Sequence, residues 1–302
     1  MALGGNPVFN GKNFRGAKQA PPVPQNPYGQ QFNPAGRAPG QVMDGQAAWS
    51  AQQQGMTNEQ LQQMYNQPAA GPADTGRMTY DDVIMKTVAC LVVLVIGAAV
   101  TLFVAPGLSS LLMIVGALGG FVLALVNTFK KQPSPALILA YAGLEGLFLG
   151  GLTRILDGMY PGVGLQAVIG TLAVFGVTLV LFKSGKVRAT PKMVRFFMIA
   201  TIGYAVFALI NLVMMWTGAV QEPFGLRTSI TIAGIPLGVF IGILAIGLAA
   251  FSLIMDFTSI EEGVRAGAPE RYSWVAAFGL TVTLVWLYVE IIRLLAILRG
   301  DD

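Results

Sequence analysis

From residue 87 onward the chain is a succession of seven apolar runs, at 87–104, 108–129, 136–156, 165–182, 196–216, 230–255 and 274–298. Each approaches or exceeds the ~18–20 residues an α-helix needs to cross ~30 Å of hydrocarbon. Inside a bilayer the backbone polar groups must find partners within the protein, which leaves helices as the form such runs take. The breaks carry turn-formers or charge: Pro106, Lys130 and Lys131 with Pro133, Pro161 with Gly162, the basic stretch 183–195, Pro223, and 267–269. The sequence therefore predicts an all-α membrane protein, a bundle of seven transmembrane helices over residues 79–302. The first two runs are joined by so short a connection that an antiparallel hairpin is expected.

Composition agrees. The chain is 54% hydrophobic and 11% charged, against about a quarter charged in soluble domains. Residues 1–78 differ, being rich in Pro, Gly, Gln and Asn with few bulky aliphatics. Such a stretch buries too little apolar surface to offset its ordering entropy, so a disordered tail is expected. It has no apolar core of the signal-peptide kind and should stay attached.

Basic residues set the orientation. Lys86, Lys130, Lys131, Lys183, Lys186, Arg188, Lys192, Arg195, Arg265 and Arg271 fall on the tail's side if the runs alternate, and Arg154, Arg227 and Arg299 on the other. The tail is expected in the cytoplasm and the carboxyl terminus outside. The net charge of +4 is then a topological signal, and the lipid bilayer rather than nucleic acid is the partner it implies.

With no histidine in the chain, the Ser-His and Cys-His catalytic pairs and the usual zinc ligands are excluded. No phosphate-binding GxxxxGK[ST] loop and no HExxH is present. The single cysteine, Cys90, lies in an apolar run. The expectation is a protein that is not an enzyme, with no cofactor and no firm metal site. Glycines recur every fourth residue at Gly116 and Gly120, Gly146 and Gly150, and Gly234, Gly238 and Gly242. Small residues at that spacing let helix backbones approach closely, and intramolecular packing is the expected use. Pro236, inside the sixth run, is expected to kink its helix.

Ionisable residues at membrane depth are costly and mark function by default. Glu145 lies about ten residues into the third run, with no basic neighbour at helical spacing. Glu290 lies in the outer half of the seventh run, and Arg293 follows where the two can pair. Asp256 closes the sixth run at its cytoplasmic boundary. These four, Glu145, Asp256, Glu290 and Arg293, are the candidates for an ion pathway or a pH sensor. Arg154 and Asp157 read as interfacial anchors, and Glu261, Glu262, Arg265, Glu270 and Arg271 as a solvated hairpin.

Three segments carry a resemblance: 141–150 (YAGLEGLFLG), 255–261 (MDFTSIE) and 286–295 (WLYVEIIRLL). In this order across seven runs they resemble the transmembrane Bax inhibitor family, in its bacterial branch, over about residues 80–300. The resemblance implies a seven-helix bundle with the last helix central. It implies a pH-sensitive calcium leak in the plasma membrane, closed by a hydrogen-bonded acidic pair on the last two helices. It also implies a role in stress survival and restraint of a membrane-bound quality-control protease. Asp256 matches the first acid and Glu290 the second, as Glu in place of the usual Asp. Across a hairpin turning near Gly267, however, Asp256 would lie opposite about residue 278, ~18 Å short of Glu290. The two acids are therefore separate candidates, with Glu145 as another partner for Glu290. The alternative to a leak is a non-transporting membrane binding protein that modulates such a protease or a stress complex.

Overall fold

The structure, a computed structural model, describes residues 76–185 and 189–300. The disorder expected up to residue 75 lies outside the described residues. In chain order the elements are α1 (Tyr80–Phe103), α2 (Pro106–Phe129), α3 (Pro135–Met159), α4 (Val163–Lys183) and α5 (Pro191–Trp216). There follow a short α6 (Leu226–Ser229), β1 (Thr231–Ile232), β2 (Ile235–Pro236), α7 (Leu237–Arg265) and α8 (Tyr272–Arg299). All but α6 of the helices are long and apolar enough to cross a membrane, seven in total among the described residues.

The helix starts follow local chemistry. The Thr79 hydroxyl accepts the Asp82 amide at 3.1 Å and caps α1, and Thr190 accepts the Met193 amide at 3.4 Å at α5. Both hydroxyls satisfy amides that a first turn leaves without a partner. Pro106, Pro135 and Pro191 open α2, α3 and α5, where a missing N–H costs nothing.

α8 is the most buried of the spans and packs against α7, α1, α4 and α3, as expected of a central last helix. Large apolar side chains such as Val95, Leu118, Phe121, Ile199 and Leu209 point outward, a surface suited to lipid rather than water. α1 and α2 are joined by two residues, yet each packs far more extensively on α3 than on the other. Glycine makes this possible. A Cβ on Gly146 or Gly150 would strike the backbone of Leu94 or Ala98 on α1, and one on Gly116 would stand 2.5 Å from the Leu144 carbonyl of α3. The glycine spacing serves packing within the chain.

Three expectations need correction. The sixth run does not begin as helix: 230–236 form a small antiparallel hairpin, with Thr231 opposite Pro236. Gly234 sits in its turn at φ 81°, outside the glycine series that continues at Gly238 and Gly242. Pro236 is the residue before α7 rather than a kink inside it, a position where its lack of N–H breaks no helical bond. Finally, residues 76–78 belong to the bundle and not to the tail. The Met78 amide donates to the Ala268 carbonyl at 2.7 Å, the Glu270 amide donates to the Gly76 carbonyl at 2.9 Å, and Met78 is buried. Lys86 ties the same turn through Glu270 at 2.9 Å.

Candidate functional site

The principal concentration of charge inside the bundle is at Glu290. It lies nine residues before the end of α8, about 14 Å of helix, and is 2% exposed. Arg293, one turn further, donates to Glu290 Oε1 at 2.9 Å, the pairing its spacing suggests. Two further partners come from elsewhere. Tyr204, midway along α5, donates its hydroxyl to Glu290 Oε1. Arg227 of α6 lies 3.5 Å from Glu290 Oε2 through Nη1 and donates to the Tyr204 hydroxyl at 2.9 Å through Nη2.

Arg227 is 3% exposed. It was counted above among the outer-side topological charges, and the structure moves it into the core. The connection from α5 to α7 bends inward to place it. The Asn211 side chain of α5 accepts the Leu226 amide at 2.7 Å and donates to the Phe224 carbonyl at 3.3 Å. Gly225 turns at φ 63° beside Asn211, a conformation that favours glycine. Gly238 leaves room on α7, since a Cβ there would stand 3.0 Å from the Arg227 Cβ. The guanidinium then rests over the rings of Tyr204 and Phe207, at 5.5 and 5.7 Å from their centroids, where the ring faces favour a cation.

Asp256 does not end its helix. α7 continues nine residues beyond it to Arg265, and Asp256 is 0% exposed. The hydropathy falls where Glu261 and Glu262 begin, but the helix and its packing persist. Phe257 stacks on Phe175 and Phe182 of α4 at 5.9 and 5.5 Å. Thr283 of α8 donates to Asp256 Oδ2 at 2.7 Å, and Ser252 lies 3.5 Å from the Thr283 hydroxyl. Thr283 precedes Glu290 by seven residues, about 10 Å along α8. The two acids of α7 and α8 thus hold separate sets of partners, and a hydroxyl stands where the acidic pair implied by resemblance would have its second carboxyl.

Glu145 is half-buried on α3. It interacts with Tyr141 one turn earlier, and its carboxyl lies against Gly120 of α2, where a Cβ would come within 3.0 Å of Oε1. It is not among the partners of Glu290. Among the described residues no group of three or more acidic or cysteine side chains is placed to hold a metal ion.

Arg227, Tyr204 and Thr283 were missed by sequence reasoning. A tyrosine and a threonine within apolar runs give no periodic signal, and Arg227 reads as an ordinary loop cation. The one available hint was its setting, between Phe224-Gly225-Leu226 and an apolar run, which is unusual for a solvated turn.

A family model described as Bax inhibitor 1 like matches residues 6–300. The match takes in most of the tail as well as the bundle, more than the three resembling segments covered. No curated protein matches the chain significantly. Since one family model runs through all seven spans, the chain belongs to the Bax inhibitor 1 like family.

Proposed function

We propose that the protein is a carboxyl-gated cation leak, with calcium as its cation, held closed in this conformation in a bacterial plasma membrane. The observation that carries this reading is the Glu290 cluster. Ionised groups in a bilayer interior are expensive, and a scaffold has no need of three converging from two elements. The cluster joins α5, α6 and α8 through one carboxylate. With two guanidiniums to one carboxylate it carries net positive charge, which repels an approaching cation at the low local dielectric. Tyr204, Arg227 and Arg293 face Glu290 from α5, α6 and α8. Removing the Glu290 charge, as in Glu290→Gln, would cancel what holds both arginines and free the inward-bent connection. Asp256 and Glu145, elsewhere in the bundle, offer the hard oxygen ligands that calcium prefers.

The test is calcium flux through the purified protein in liposomes, measured across pH. Flux should rise as pH falls. Glu290→Gln should leak at neutral pH with a flattened profile, and Asp256→Asn and Glu145→Gln should lower flux. Flux that is unchanged at every pH in all three variants would sink this reading and favour the non-transporting protein that modulates a membrane protease.

A further inference from the structure

At the end of the bundle that carries the α1–α2 and α3–α4 connections, a cavity of about 200 Å³ opens between α2 and α3. Its lining includes Pro106, Ser109, Ser110, Met113, Gly151 and Arg154. Two features converge there. Arg154 caps the end of α1, with Nη1 donating to the Leu102 carbonyl at 3.2 Å and the Val104 carbonyl at 2.5 Å. Among the described residues no carboxylate pairs with it; Asp157, one turn on, instead accepts the Gly164 amide at 3.1 Å. Its other guanidinium nitrogens remain available for a ligand. Ser109 is 4% exposed, lines the cavity, and its hydroxyl bonds to no described residue.

We propose that this cavity binds a phosphate group, and that its occupant is the phosphodiester of an anionic phospholipid. A guanidinium with free nitrogens and a hydroxyl with no other partner form a donor set for an anion with several acceptor oxygens. The position argues for lipid as the source. Arg154 lies five residues before the end of α3, roughly 8 Å in from it, at headgroup depth. The wall is completed by Met113 and by Ile155, which is exposed on the lipid-facing surface, so apolar contact is available to the glycerol and upper acyl chain. Gly151 lets Met113 of α2 pack close against α3 at this wall, since a Cβ there would stand 2.5 Å from Met113 Cβ. The site shares no residue with the Glu290 cluster and stands independently of the leak reading.

The experiment places the full-length protein in nanodiscs of phosphatidylcholine with or without phosphatidylglycerol. It reads retained lipid by native mass spectrometry and thermal stability in parallel. Wild type should retain phosphatidylglycerol in preference to phosphatidylcholine. Arg154→Gln should weaken that retention by roughly tenfold, as loss of a charge-assisted hydrogen bond does. Because Arg154 also caps α1, Ser109→Ala is the decisive second variant. Its hydroxyl holds nothing else in the fold, so stability without lipid should be unchanged while retention falls about three- to fivefold. Arg299→Gln, at the same end but outside the cavity, should behave as wild type. Equal retention in wild type, Arg154→Gln and Ser109→Ala would overturn the proposal. Inorganic phosphate is added as a separate ligand to the protein in detergent. If it alone binds, in a way sensitive to both variants, the anion site stands and its lipid source is overturned.

Discussion

Neutralising Glu290 would leave two guanidiniums and a tyrosine around an uncharged amide, with Arg227 almost wholly desolvated. Breaking a buried pair from one side costs about 3–5 kcal/mol, so Glu290→Gln should lower thermal stability in detergent by that order. Arg227→Gln alone leaves the Glu290–Arg293 pair neutral and should cost less. Added to Glu290→Gln, it should restore part of the loss, because the unbalanced charge is removed. Additive losses in a double-mutant cycle would show that Arg227 and Glu290 are not coupled. At this scale the sequence was legible only where partners are close along the chain. The 290/293 spacing announces itself on a helix. Tyr204 and Arg227 lie 86 and 63 residues away, and only the packing of α5 and α6 on α7, which itself packs on α8, brings them in. The burial of Asp256 was not legible for a related reason, since a fall in hydropathy marks where charges begin rather than where neighbouring helices stop covering the chain.

Helices α1, α2 and α3 cohere through backbone contact. Gly146→Ala should force α1 from α3, because the added methyl meets the Leu94 carbonyl and Ala98 backbone, neither of which can move as a side chain can. Overpacking of this kind costs about 1–3 kcal/mol. Gly176→Ala on α4 meets nothing within 4 Å and should be neutral or gain up to ~1 kcal/mol from the better helix former. Thermal unfolding of the two variants side by side checks the contrast, and equal effects would refute the close α1–α3 seam. The spans themselves were readable from apolar length, as were their ends, through proline and threonine. The 230–236 hairpin was not, because Thr231, Ile232 and Ile235 are apolar or β-branched and extend the sixth run without a drop in hydropathy. Ala233 and Gly234, both at positive φ, mark the turn only once the backbone is known.

At the scale of the whole molecule, seven crossings would put the two ends of the bundle on opposite sides. With Arg227 withdrawn into the core, the end opposite the tail keeps Arg154 and Arg299, which bond backbone carbonyls of Leu102, Val104 and Pro161. Reporters fused after Lys131 and after Arg188 should read cytoplasm, and one after Asp302 should read outside. An inside signal at Asp302 would mean that α8 does not cross.

The strap at residues 76–78 has a consequence in time. The residues that dock first in chain order, Met78 and Lys86, close onto the turn before α8, and the Lys86–Glu270 pair alone spans 184 residues. At ~5–20 residues per second of synthesis, that partner emerges about 10–40 s later. The central helix is also the last one made. Until it arrives, six spans must wait in the bilayer around a vacant axis, with the faces of α1, α3, α4 and α7 that it will cover still open to lipid.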